Sequence, residues 1–283
     1  VDALCFPRRN DDGVSLQTWQ RSIRANQNHR SSMTPNNNNS TRVLELGAGV
    51  GVVGASLAAM GAEVLLTDLA DLVKESLHPN LVQNSNNNNP QHVVAKNGCP
   101  PDWLQSTYPA AIVPIGKGWT AATALDWNKP LEDQLTPEQC HVDVIVACDC
   151  VWLVSMLQGL FSTVQAIFEF SSNNKKSDDG DDNKNSDKRR TPKLLLSFQR
   201  RNSDMFTTVD RVLEEIKAYN WNVECLAWYP VLYEEEEEEA SASTSGLGDS
   251  HPNGSNDQDQ SKKTEKEVFL FEISPVITKA VGE

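Results

Sequence analysis

Apolar residues along this chain fall into two rhythms, short continuous runs and runs spaced three or four apart, and the two rhythms alternate. Arg42–Leu46 is a short apolar run and predicts a strand, with a glycine-rich turn over Gly47–Gly51 and helical spacing over Val52–Met60. Glu63–Thr67 predicts a second strand that ends at Asp68. Leu69–Leu81 follows as an amphipathic helix with Leu69, Leu72, Val73, Leu77 and Leu81 on one side. Gly118–Leu125 predicts a third strand. Val142–Ala147 and Lys193–Phe198 are continuous apolar runs, the pattern of strands buried on both faces. Leu153–Phe170 and Asp204–Tyr219 predict helices, and Trp221–Trp228 and Val268–Ile273 predict two final strands.

This order predicts an α/β fold, a doubly wound, seven-stranded, mostly parallel sheet of the Rossmann-like kind. The last two strands have only a loop between them, so they are expected to pair antiparallel. We expect an N-terminal segment over residues 1–41 and one domain over residues 42–283.

Between these elements lie polar stretches that cannot bury enough apolar surface to offset their ordering entropy. They are an irregular Pro- and Asn-rich stretch near residues 85–116, an Asn, Asp, Lys and Ser tract near 171–191, and a tract near 234–266 that opens with six consecutive Glu. They read as disordered loop insertions, tolerated because loop-closure entropy grows slowly with length. Composition changes the picture in one respect. The 283-residue chain carries a formal charge of −14, and the 234–266 tract alone carries −7. No basic face is evident, so nucleic acid is excluded as a main partner. The six cysteines form no CxxC pair, so the sequence predicts a reducing compartment and no metal site; Cys148 and Cys150, one residue apart, do not make a zinc site. No run of 18 apolar residues is present to span a membrane. The protein is therefore expected in the cytoplasm, with the basic run Lys188-Arg-Arg190 offering the nucleus as an alternative. It is read as a monomer.

The chemistry concentrates in Val43-Leu-Glu-Leu-Gly-Ala-Gly-Val-Gly-Val-Val-Gly54, a strand, a glycine turn and a helix start. Glycine lets the chain turn tightly and lets a ligand lie against the backbone, and a helix N-terminus favours electronegative groups. Asp68 closes the next strand, where a carboxylate can accept both hydroxyls of a ribose. Two cofactors fit. Gly49-x-Gly51-x-x-Gly54 matches the dinucleotide fingerprint. Gly47-x-Gly49-x-Gly51 with Glu45 two residues earlier matches an S-adenosylmethionine pattern, in which Glu45 holds the loop and the amino-acid end of the cofactor. The five histidines lie in loops or polar stretches rather than at the ends of core strands, which leaves a dehydrogenase without an evident proton donor. Methyl transfer needs alignment and exclusion of water more than acid-base groups.

Beyond the glycine turn, Leu66-Thr-Asp68, Leu125-Asp-Trp127, Val146-Ala-Cys-Asp-Cys-Val-Trp152 and Gly13-Val-Ser-Leu-Gln-Thr-Trp19 resemble family 16 of the seven-β-strand methyltransferases. That family includes protein-lysine methyltransferases that modify chaperones and elongation factors. The resemblance implies that Gly47, Gly49 and Gly51 underlie the methionine part of S-adenosylmethionine and that Asp68 binds its ribose. It implies that Asp126 and Trp127 flank the adenine, with the indole stacked on it, that Trp19 closes over the cofactor and that Cys148 touches it. It assigns Asp149 and Trp152 to the acid-x-x-aromatic element at the mouth of the site; the family carries Tyr or Phe where this chain has Trp152. The implied activity is N-methylation of a protein side chain, lysine first, with a chaperone or translation factor as the kind of substrate. A small-molecule or histidine methyltransferase, and a cofactor-binding module without turnover, remain alternatives at this stage.

Overall fold

The computed structural model describes residues 40–85, 100–104, 112–173, 191–200, 208–232 and 265–276. Among them the chain runs β1 (Arg42–Leu46), α1 (Val52–Ala59) and β2 (Glu63–Asp68). A longer helix, α2, covers residues 70–83: α-helical Ala70–Leu72, a π-helical turn Val73–Leu77 and α-helical His78–Gln83. Next come β3 (Val113–Ile115), β4 (Gly118–Ala124), α3 (Pro137–Cys140), β5 (Val144–Cys148) and α4 (Val154–Asn173). The chain continues through β6 (Lys193–Gln199), α5 (Val209–Ala218), β7 (Trp221–Leu232) and β8 (Glu265–Pro275).

The strands form one sheet in the order β3-β4-β2-β1-β5-β6-β8-β7. β4, β2, β1, β5 and β6 are mutually parallel, and β8 lies antiparallel between β6 and β7, as the loop-only connection of the last two strands predicts. Among the described residues the sheet holds eight strands, one more than the seven expected. Val113–Ile115, inside the stretch read as irregular, pairs antiparallel with Gly118–Ala124 through a two-residue turn. The strand escapes sequence reading because it is three residues long and contains Pro114, which a ladder tolerates only at an edge. The same stretch also supplies a turn of 3₁₀ helix, Asp102–Leu104, whose Trp103 and Leu104 are buried. Trp103 Nε1 donates to Glu63, and the Arg42 guanidinium sits 5.4 Å from the indole centroid, which pins this turn at the amino end of β1 and β2.

Both faces of the sheet are covered. Leu44, Leu46, Leu65 and Ile145 point into a core shared with Leu157, Phe161 and Val164 of α4 and Val212 and Ile216 of α5. Val43, Val64 and Leu66 point the other way, onto Leu57 of α1 and Val73, Leu77 and Leu81 of α2. The alternation of one strand's side chains between two cores is why apolar residues stand next to one another in β1 (Val43-Leu44) and β2 (Val64-Leu-Leu66). Each fully buried Leu or Phe contributes about 1.5–3 kcal/mol. Trp221 adds aromatic packing: Phe161 and Phe168 meet it edge-on at 5.4 Å, while its Nε1 donates to Gln165 over 3.0 Å.

α2 departs from expectation. Val73, Leu77 and Leu81 form its buried stripe, whereas Leu69 and Leu72 are 53% and 46% exposed. The i, i+4, i+8 spacing is what this helix buries, and Leu69 lies before its first turn. The π-helical turn has a local cause. Pro79 cannot donate to a carbonyl one turn back, and its ring crowds that carbonyl. Widening the turn just before it, with His78 N–H bonded to the Val73 carbonyl, relieves the clash.

Candidate functional site

Parallel strands β4, β2, β1 and β5 stand side by side and end along one edge, where the chain leaves β1 toward β2 on one side and later returns to β5 on the other. An open α/β sheet binds ligands at such a switch point. The four strand ends carry the residues that the sequence singles out: Asp126-Trp127 after β4, Asp68 on β2, Gly47–Gly51 after β1, and Cys148-Asp149 on and after β5.

The glycine turn is tied down from β2. Ala48 N–H donates to the Thr67 carbonyl (2.9 Å), Gly49 N–H to Asp68 Oδ2 (2.7 Å), and Thr67 Oγ1 to the Glu45 carbonyl (2.7 Å). Asp68 Oδ1 takes the Leu69 N–H at 2.7 Å. Each carboxylate oxygen has a second lone pair, so Asp68 can hold the loop and still accept ribose hydroxyls. Gly51 caps α1 at φ 86, and a Cβ there would sit 2.6 Å from Leu77 Cδ1. From the far side, Asn80 Nδ2 donates to the Val50 carbonyl at 3.2 Å. No sequence motif pointed to that contact.

Glu45 lies beneath the turn and is 2% exposed. Burial, reinforced by the charge of Asp68, pushes its carboxyl up to about 7, against the opposing amide of Gly54. Among the described residues its Oε2 has no hydrogen-bond partner. A Cβ on Gly54 would land on this carboxylate, so that glycine keeps the space for it.

Leu125 N–H donates to the Asp68 carbonyl (2.8 Å), which holds the next segment against β2. The Asp126 carboxyl is held below the usual range, first by the Asn128 N–H (3.0 Å to Oδ1), then by Lys129, whose ammonium is 3.3 Å from Oδ2. Gln134 grips the backbone of the same residue: Asp126 N–H donates to its Oε1 (2.7 Å), and its Nε2 donates to the Asp126 carbonyl (3.0 Å). The half-buried Trp127 indole comes close to Gly47, where a Cβ would stand 3.2 Å from the ring. Asp68 and Trp127 thus both border the glycine turn, one at Gly49 and the other at Gly47.

On the β5 side, Asp149 adopts φ 48, a left-handed backbone that Asp tolerates better than most residues, and its N–H donates to the Ser197 carbonyl at 2.8 Å. The following helix starts only at Val154. Asp149 and Trp152 both precede the helix, as the predicted start at Leu153 implies. Trp152 is 42% exposed. Burial raises the Cys148 thiol to about 12 and pushes Cys150 up as well, with Glu45 and an aspartate adding to each. Both stay protonated at neutral pH and offer no nucleophile. Trp19 lies outside the described residues.

The donor set fits an adenosyl-amino-acid cofactor. A Cβ on Gly49 would meet nothing within 4 Å, which leaves open space over the turn, and the orphaned Glu45 oxygen lies buried beneath it against Gly54, a negative centre under the position an ammonium or sulfonium would take. Asp68 would be the acceptor for sugar hydroxyls, and the half-buried Trp127, beside Gly47, would be the aromatic partner of the base.

The solved structures that the chain matches include three methyltransferases. Precorrin-6y C5,15-methyltransferase from Geobacter metallireducens GS-15 is 12% identical over 84% of this chain and 80% of its own, with a TM-score of 0.38. Magnesium protoporphyrin IX methyltransferase from Synechocystis PCC 6803, with bound S-adenosylmethionine, is 11% identical over 95% and 86%, with a TM-score of 0.38. The glycopeptide N-methyltransferase MtfA, complexed with S-adenosyl-L-methionine, is 13% identical over 90% and 94%, with a TM-score of 0.39. The assignment rests instead on a family model described as lysine methyltransferase, which matches residues 3–111 and 116–177, more than half of the chain. With the glycine turn, Asp68 and the Asp126-Trp127 segment gathered at one sheet edge, the chain belongs to this lysine methyltransferase family and is an S-adenosylmethionine-dependent methyltransferase.

Proposed function

We propose that the acceptor is a lysine side chain of a protein. The observation that carries this reading is the pair formed by Asp149, held at φ 48 where β5 ends beside the cofactor turn, and the exposed Trp152 three residues on. Val50, Val52, Leu69 and Leu72 around the same edge are also exposed. An open apolar rim suits a side chain presented by a macromolecule better than a metabolite enclosed on all sides.

When bound, S-adenosylmethionine supplies an electrophilic methyl group. The protein's own work is to present a neutral amine to it. Lysine is mostly protonated at neutral pH, so the ammonium gives its proton to solvent before attack. Asp149 would accept a hydrogen bond from the amine and so orient its nitrogen lone pair for attack. The face of Trp152 holds the cationic ammonium as it arrives and the methylated product as it forms. Asp68 and Trp127 fix the adenosine end, so that alignment supplies most of the acceleration. A chaperone or translation factor is the kind of partner this reading favours.

The experiment is incubation of the protein with methyl-labelled S-adenosylmethionine in a cell extract, beside Asp68→Ala and Asp149→Ala variants shown to be folded. Label recovered as methyl-lysine in a protein band, and lost in both variants, is the expected result. Label in methyl-histidine or in the small-molecule fraction would overturn the lysine reading.

A further inference from the structure

We infer that Gln134 is a positioning residue for adenine recognition. This rests on the reading of Asp126-Trp127 as the segment flanking the adenine ring. After β4 the chain makes a loop over residues 125–134 before Thr136 caps α3. Gln134 closes that loop at its neck. Its Oε1 accepts the Asp126 N–H at 2.7 Å. Its Nε2 faces three carbonyls, those of Asp126 at 3.0 Å, Pro130 at 3.1 Å and Lys129 at 3.2 Å.

The first two contacts are the informative ones. One side-chain amide reads both the N–H and the C=O of residue 126, as the backbone of a neighbouring strand would. β4 ends at Ala124, so no ladder extends to Asp126 from its own strand. Gln134 replaces the missing partner and so sets the backbone direction from which Trp127 departs. The Asp126 carboxylate is itself engaged by Asn128 and Lys129, so it braces the loop from the other side. Trp127 then has little room. A Cβ on Gly47 would stand 3.2 Å from its ring, and one on Gly159 would stand 3.3 Å from the Trp127 Cβ. A small rotation of the Asp126 peptide would carry the indole off this line. The neighbours Leu131 and Leu135 are buried and anchor the segment whatever occupies position 134, so the amide's contribution is to direction rather than to burial.

The test is a double-mutant comparison on the full chain, titrating S-adenosylhomocysteine calorimetrically into wild type, Gln134→Ala, Trp127→Ala and the double variant. Gln134→Ala is expected to weaken binding about tenfold, and the double variant to bind no more weakly than Trp127→Ala alone, because the amide acts through the indole. In turnover, Gln134→Ala should raise KM for the cofactor and leave kcat at saturating cofactor within about twofold. Gln134→Glu keeps the acceptor for Asp126 N–H but sets a carboxylate oxygen against the three carbonyls, and should bind no more tightly than Gln134→Ala; it carries the same comparison if Gln134→Ala does not fold. Unchanged affinity in Gln134→Ala, or losses that simply add in the double variant, would overturn this role. Failure of the wild type itself to bind S-adenosylhomocysteine would instead overturn the reading of the site on which the inference rests.

Discussion

Replacing Glu45 by Gln tests the electrostatics beneath the glycine turn. In the fold its carboxyl is raised from 4.5 to about 7, chiefly by burial, whereas in the unfolded chain it returns to its ordinary value. Below the unfolded value both states hold the proton and Glu45 costs nothing. As pH rises through the window from 4.5 to about 7 the unfolded chain ionises first, and the folded state loses stability. Above about 7 both are ionised and the loss is complete. At about 1.4 kcal/mol per pH unit this window amounts to about 3 kcal/mol. Glu45→Gln is neutral at every pH, so the wild-type-minus-variant stability should fall by about 3 kcal/mol between about pH 4.5 and about pH 8. The assay is urea denaturation of cofactor-free protein across that range, comparing wild type with Glu45→Gln so that every other titrating group cancels. Saturating S-adenosylmethionine should flatten the difference, because its positive charges favour the ionised carboxylate. Parallel stability curves for the two proteins would refute the reasoning.

Gly51 and Gly49 should separate fold from function. Gly51→Ala meets Leu77 Cδ1 and strains a left-handed backbone, and should cost about 2 kcal/mol or more of stability in chemical denaturation. Gly49→Ala meets nothing in the protein, so it should cost only about 1 kcal/mol of backbone strain while weakening S-adenosylhomocysteine binding in calorimetry at least tenfold. Asp149→Gly relieves the left-handed strain and should leave thermal stability equal or raise it by up to about 1 kcal/mol, while methyl transfer to protein is lost. Phe161 is fully buried on α4 against Trp221, and Phe161→Ala should cost about 3–5 kcal/mol in the same denaturation assay.

Much of this architecture is legible from periodicity. The consecutive apolar residues of β1, β5 and β6 reflect strands covered on both faces, and the glycine turn, Asp68 and Leu125-Asp-Trp127 fall at strand ends because the runs stop there. The remainder is tertiary. Nothing in Val113-Pro-Ile115 announces a strand until β4 provides its partner. Leu69 and Leu72 are as apolar as Leu77, yet only packing decides which of them is covered. The π-helical turn depends on a proline that periodicity treats as a helix breaker. Gln134 and Asn80 carry no motif because each acts through backbone groups that any sequence would present.

The most direct measurement is a crystal structure of the protein with S-adenosylhomocysteine. The ribose hydroxyls should lie within hydrogen-bonding distance of Asp68, the adenine against the Trp127 indole, and the amino-acid end over Gly47–Gly51. A ligand bound elsewhere, or Asp68 and Trp127 on opposite sides of a closed turn, would contradict the account.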